Sequence, residues 1–180
     1  MKEIRIHGRG GQGVVTAAEL IAISAFYEGK MSQAFPHFGV ERTGAPIESF
    51  VRIDKHFIRT REQVQNPDLL IIQDATLLET TDVTKGANEN TIAIINTSLN
   101  RSEIDINLPD ENVFVINATK IALDVIGKNI VNTVILGSIA KDTDLFSLAS
   151  AKKAVKQKFE GKDKSIIDKN IKAVELAFNS

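Results

Sequence analysis

The feature that most constrains this chain is the run His7-Gly8-Arg9-Gly10-Gly11-Gln12-Gly13, set between the alternating stretch Lys2 to Ile6 and an apolar-periodic run that begins at Val14. A strand, a glycine-rich turn and a helix start in that order point to an open α/β sheet. Gly8, Gly10 and Gly13 also keep the GxGxxG spacing. Glycine allows positive φ, expected at Gly10 and Gly13, and lets a ligand approach the backbone with no Cβ in the way. The first N–H groups of the following helix have no partner within it and favour an anion. Arg9 adds a positive charge in mid-turn. The candidate binding residues are therefore Gly8, Arg9, Gly10, Gly11, Gln12 and Gly13. The alternative is a tight packing turn in which Gln12 satisfies local backbone and Arg9 is a solvated arginine.

The rest of the chain supports the α/β expectation. Val14, Ala17, Ala18, Ile21 and Ala25 recur at helical spacing, which predicts a helix from Val14 to roughly Glu28, closed by Gly29. Met31 to Phe35 reads as a second strand stopped at Pro36, and Ile47 to Ile53 as a third. Phe57 to Arg59 is expected to pair with that third strand as a hairpin, making the sheet mixed. Leu69 to Ile72, Thr91 to Ile95 and Asn112 to Ile116 are continuous apolar runs, each ending on small polar residues such as Asp74, Asn96 and Asn117. Helices are expected from Ala75 to about Thr81, from Thr119 to Ile126 before Gly127, after an N-cap at Ser147, and along Ile167, Ile171, Val174 and Phe178. Thr133 to Ile139 is apolar nearly all round and reads as buried, with Gly137 and Ser138 permitting close backbone approach. No repeat or linker interrupts the pattern, so residues 1–180 are expected to form a single domain.

Composition removes several function classes. The net charge of −1 lacks the basic footprint of a nucleic-acid partner. No window approaches ~18 apolar residues, and the start Met1-Lys2-Glu3-Ile4 has no signal-peptide apolar region, so the chain is expected in the cytoplasm and off the membrane. Zero cysteines exclude disulfides, cysteine nucleophiles and a cysteine-ligated iron–sulfur cluster on this chain. With only His7, His37 and His56 as imidazoles, and no two of them at helical i, i+4 spacing, no metal site is expected. No nucleophile elbow, P-loop lysine or carboxylate pair appears, and no catalytic residue is assigned. A dinucleotide site would need an acidic residue at the end of the second strand, which here ends Gln33-Ala34-Phe35-Pro36. Glu28, on the preceding helix, is expected to face solvent. The segment Phe35 to Pro46 places aromatic residues in a glycine- and proline-bearing loop. That fits either a surface covered by another chain or a fold-back of Phe35 and Phe38 into the core.

The sequences GRGGQGVVTAAELIA and AFPHFGVERTGAPIESFVRID together resemble the gamma subunit of the 2-oxoacid:ferredoxin oxidoreductases, nearest the pyruvate (pyruvate synthase) type. NPDLLIIQDATLLE, INATKIALDVIG, NTVILGSIA and KNIKAVELAF extend the resemblance almost to the C-terminus. It implies a Rossmann-like three-layer α/β/α fold with a mostly parallel, partly mixed sheet. It also implies a place in a heteromeric enzyme of anaerobic metabolism that converts pyruvate, coenzyme A and oxidised ferredoxin to acetyl-CoA, carbon dioxide and reduced ferredoxin. Thiamine diphosphate and iron–sulfur clusters are then expected on partner subunits of the alpha, beta and delta types. This chain would have a structural role and would shape the coenzyme A site, with no cofactor held by it alone. The family commonly has two arginines before the glycine of the second motif, where this chain has Arg42-Thr43-Gly44. Arg42 is thereby the remaining candidate for a cofactor-facing charge. The same role with 2-oxoisovalerate or 2-oxoglutarate, and a free-standing NAD(P)-binding domain, are the alternatives.

Overall fold

The computed structural model describes residues 1–37 and 43–180. Phe38, Glu41 and Arg42 lie outside the described residues, so the expectations placed on them stay with the sequence.

The first strand, β1 (Lys2–Arg9), enters the glycine turn and helix α1 (Val14–Tyr27). Then come β2 (Met31–Pro36), β3 (Pro46–Asp54), β4 (Leu69–Ile72), β5 (Ile92–Asn96) and β6 (Val113–Ile116). Helix α2 (Ala118–Ile121) runs into a π-helical turn at Ala122–Ile126, closed by Gly127. Helices α3 (Ile135–Asp142), α4 (Leu148–Lys158) and α5 (Lys164–Phe178) complete the chain.

Among the described residues the strands form one sheet in the order β2-β3-β1-β4-β5-β6. β1, β4, β5 and β6 are mutually parallel, whereas β3 runs antiparallel to both β1 and β2. The sheet is thus mostly parallel and partly mixed, but not through the expected hairpin. Residues 57–59 form no strand, and Phe57 is 77% exposed. β3 is already hydrogen-bonded on both edges, so no edge is left for a third partner.

Alternation along the strands sends Ile4, Ile6, Val51, Ile53, Leu69 and Ile71 to one face, where α1, α3, α4 and α5 cover them. Leu70, Ile72, Ala93 and Ile95 point to the other face, under Leu77, Val83 and Ile104. The cover on that second face is thin, made of 3-10 turns and loops. The helix expected from Ala75 to about Thr81 is a 3-10 turn, Ala75–Glu79. Thr76 and Thr80 have side chains that bond locally and compete with a longer helix (Thr76 Oγ1 to Asp74 Oδ1, 2.6 Å).

Two details join the helical layer. A Cβ on Gly137 would lie 2.2 Å from the Val174 carbonyl oxygen, so only glycine lets α3 and α5 approach as they do. Glu28 does not simply face solvent. Its carboxylate accepts from the Ser147 N–H (2.8 Å) and hydroxyl (2.6 Å), tying the end of α1 to the start of α4. Ser147 in turn caps α4 by accepting from Ser150 N–H at 3.2 Å.

Candidate functional site

The carboxyl ends of β1, β4 and β5 meet at the point where the chain path reverses. From β1 the chain passes through α1 to the β2 side, while β4 and β5 extend the sheet the other way. Open α/β sheets bind ligands at such a switch point. The glycine turn follows β1 here, Gln73 and Asp74 follow β4, Asn96 ends β5, and Thr119 lies just beyond β6.

Two glycines are dictated by geometry. A Cβ on Gly8 would meet Val14 Cγ2 at 2.4 Å, so the start of α1 can press against the end of β1. Gly13, the N-cap, has φ 74°, a left-handed value, and a Cβ there would also meet Asn132 Nδ2 at 2.4 Å. The positive φ expected at Gly10 falls on Gly11 instead. Gly10 is held extended, donating to Ala45 O (2.9 Å) and accepting from Gly44 N–H (3.1 Å). The two sequence motifs are thus zipped together at Gly10 and Thr43 to Ala45. Because the N-cap is glycine, the first turn of α1 has neither a side-chain cap nor an acidic residue, and its free N–H groups suit an oxyanion.

Arg9 is neither free for a ligand nor simply solvated. Its Nε lies 3.2 Å from Asp74 Oδ2, Nη2 donates to Thr76 Oγ1 (2.6 Å) and Nη1 donates to Gly44 O (3.1 Å). Gln12 completes the clamp: Oε1 accepts from Arg9 N–H (2.7 Å) and Nε2 donates to Asp74 Oδ2 (2.9 Å). Asp74 also caps the 3-10 turn, accepting from Thr76 N–H at 3.1 Å. Burial opposes its ionisation, but the hydrogen bonds from Thr76 and Gln12 and the charge on Arg9 outweigh that and hold its pKa below the usual carboxylate value.

Beside the turn, a polar cavity of about 180 Å³ is walled by Gln12, Gln73, Asp74, Asn96, Thr119 and Asn129. A larger cavity, about 730 Å³, opens at the opposite, amino end of the parallel strands over Ile4, Leu69 and Ile92. At its rim the Met1 ammonium pairs with Asp54 (3.0 Å) and Lys2 with Asp68 (3.0 Å); the polar cavity at the carboxyl end, which adjoins the glycine turn at the switch point, is the better candidate.

The histidines are engaged elsewhere. His7 is buried on the second face, where Arg5 Nε donates to its Nε2 (3.1 Å) and its Nδ1 lies 3.3 Å from Glu48 Oε1. Burial, and then the adjacent Arg5 guanidinium, lower its pKa to about 4, so it is neutral near pH 7. His37 Nδ1 lies 3.6 Å from Glu48 Oε2, and His56 sits on Asp54 at 3.3 Å. Among the described residues no group of three His, Asp or Glu is placed to hold a metal ion. Phe35 folds back on the sheet, its ring 5.4 Å from that of Phe50 and under the Arg52 guanidinium.

Strand order also bears on the dinucleotide alternative. β3 intervenes between β1 and β2, so the end of β2 lies two strands, roughly 10 Å, from the glycine turn. The place where a ribose-binding carboxylate would stand is taken by Thr43 to Pro46. Sequence reasoning missed Gln73, Asp74, Asn96 and Asn132 as site residues. The signal for the first three was the polar residue closing each apolar strand.

Comparison with known proteins agrees with this geometry. Residues 3–180 match the family described as pyruvate ferredoxin/flavodoxin oxidoreductase. The pyruvate synthase subunit PorC of Methanosarcina barkeri is 53% identical over 156 residues, covering 87% of this chain and 85% of that protein. The pyruvate/ketoisovalerate oxidoreductases common subunit gamma of Thermococcus kodakarensis is 48% identical over 181 residues, covering 99% and 96%. The crystal structure of pyruvate oxidoreductase subunit PORC from Thermotoga maritima superposes with a TM-score of 0.83 at 34% identity, covering 99% of this chain and 96% of that one. With the family match running through both motifs and the sheet that joins them, the chain belongs to the pyruvate ferredoxin/flavodoxin oxidoreductase family.

Proposed function

We propose that this chain is the gamma subunit of a multi-subunit pyruvate:ferredoxin oxidoreductase, acting with alpha-, beta- and delta-type subunits and with ferredoxin as electron acceptor. The observation that carries the reading is near-complete coverage, at about half identity, by relatives named as PorC or common gamma subunits. The absence of cysteine is consistent with it, because iron–sulfur clusters must then sit on partners. β1 lies between β3 and β4, interleaving early and later strands, which supports reading residues 1–180 as one domain. No described helix is long and apolar enough to cross a membrane, in keeping with work alongside ferredoxin in the cytoplasm.

Thiamine diphosphate and the clusters, on other subunits, supply the decarboxylation and electron-transfer chemistry. This chain's own contribution is positional. The uncapped N–H groups of α1, reached across Gly8, Gly10, Gly11 and Gly13, suit a phosphate of coenzyme A. Arg9 and Gln12 would hold the turn open through Asp74 and leave direct charge neutralisation to Arg42 or a partner. Substrate choice would then rest with other subunits. The name of the Thermococcus relative, a gamma subunit common to pyruvate and ketoisovalerate oxidoreductases, gives a second reading in which this chain also serves a 2-oxoisovalerate enzyme.

Tagging the chain in its native host and isolating what co-purifies tests the proposal. Partner subunits carrying thiamine diphosphate, iron and acid-labile sulfide are expected. A chain that runs alone and binds NAD(H) or NADP(H) in calorimetric titration would overturn it in favour of the free-standing domain.

A further inference from the structure

Residues 55–68 join β3 to β4 without a helix or strand of their own. Irregular connections beyond about 12–15 residues are uncommon in compact domains and usually functional. This one is pinned at both ends. Asp54 Oδ1 accepts from His56 N–H (2.9 Å) where it starts. Where it returns, Val64 is buried, its carbonyl accepting from Arg5 Nη1 (3.3 Å), and Pro67 O accepts from Thr91 Oγ1 (2.8 Å). The stretch between projects outward. Phe57, at 77% exposure, is the most exposed large apolar side chain among the described residues, and Lys55, Arg59 and Arg61 are exposed around it.

The charge on this stretch is unanswered. Residues 55–61 hold Lys55, Arg59 and Arg61 and no Asp or Glu, in a chain whose net charge is −1. Among the described residues Arg9, Arg52 and Arg101 each have a carboxylate partner, and Arg5 has backbone carbonyls. Arg59 and Arg61 have neither, although Glu62 is next along. The other cation-rich stretch, in α4, differs: Lys152 pairs with Glu175, Lys158 with Glu19, and Lys153 lies over the Tyr27 ring. Exposed arginine beside an exposed aromatic ring is the composition of an interface centre, and a guanidinium fork matches a carboxylate. Lys55 and His56 also wall the cavity of about 730 Å³ at the amino end of the strands, so a partner seated on the loop would border that hollow.

We propose that residues 55–61 dock on an acidic surface of a partner subunit, with Phe57 seated in an apolar notch and carboxylates facing Arg59 and Arg61. This docking rests on the gamma-subunit reading and gives that subunit one of its interfaces. A stable partner fits better than a transient electron carrier, because a carrier must approach a cluster and this chain has no cysteine to hold one. Nucleic acid would need a wider basic footprint, and a single ring is a weak anchor for a bilayer.

The test titrates the full recombinant chain against the tagged partner subunits and reads Phe57 by hydroxyl-radical footprinting, free and assembled. Phe57 is expected to lose its labelling on assembly, and binding is expected to weaken as KCl is raised to about 0.5 M. The double substitution Arg59→Glu, Arg61→Glu should raise the dissociation constant at least about tenfold, and Phe57→Ser should do likewise. Phe57 labelled equally in the free and assembled states, or a double variant that binds as wild type does, overturns the docking while leaving the gamma-subunit reading in place. Protection of Phe57 by phosphatidylglycerol vesicles but not by the partner subunits also overturns it. A wild-type chain that binds no partner subunit overturns both readings. The footprint is read on the unmodified chain, so it decides the matter even if a variant does not fold.

Discussion

Asp74→Ala tests how the glycine turn is held. The carboxylate accepts from Thr76 N–H and Oγ1, from Gln12 Nε2 and from Arg9 Nε, so its removal unties two ends of the site at once. Loss of the cap on the 3-10 turn costs about 1 kcal/mol. Arg9 and Asp74 are 28% and 19% exposed, so the charge-assisted contacts are partly screened and contribute roughly 1 kcal/mol more. The expected loss is about 2 kcal/mol, a fall of roughly 4–8 °C in melting temperature for a domain of this size. Asp74→Asn keeps the cap and should cost about half as much. Asp74 has a folded pKa below its unfolded value, so its contribution is present above the unfolded pKa of about 3.9 and is lost as pH falls through the folded one. Differential scanning calorimetry at pH 7 and near pH 3 should therefore show the gap between wild type and Asp74→Asn closing in acid. An Asp74→Ala chain that melts within a degree or so of wild type at pH 7 would refute the clamp.

Other substitutions probe neighbouring features. Gly8→Val drives its side chain into Val14, and Gly13→Val forces a β-branched residue to positive φ against Asn132. In urea unfolding Gly8→Val should cost about 1–3 kcal/mol from the clash alone, Gly13→Val that clash plus a backbone share of about 1–2 kcal/mol, and Gly29→Val, at positive φ but in open space, the backbone share only. His7, ordinarily near 6.5 and about 4 in the fold, contributes stability that is fully present above pH 6.5 and lost as pH falls towards 4. That window is worth up to about 3 kcal/mol, and urea melts of His7→Gln should show the dependence removed.

What was legible in the sequence was local. The strand, turn and helix around Gly8 to Val14 follow from periodicity and glycine placement within a dozen residues. So do Ser147 as a cap and the close approach at Gly137. What escaped depends on residues far apart in the chain. The antiparallel position of β3 between β2 and β1 is a choice of edge, which the alternation of Ile47 to Ile53 does not encode, and it misplaced the expected partner at Phe57 to Arg59. Arg9 read as a free charge because Asp74 lies 65 residues on, and Glu28 read as solvated because Ser147 lies 119 residues on. The candidate site was half visible: its turn stood out, while Gln73 and Asp74 were seen only as strand ends until the sheet brought them beside it.

The most direct test of the central claim is reconstitution. Partner subunits purified without this chain should show little pyruvate- and coenzyme A-dependent reduction of ferredoxin, and adding the recombinant chain should restore it. Full activity in its absence, or none regained on its addition to otherwise loaded subunits, would contradict its assignment as an integral gamma subunit.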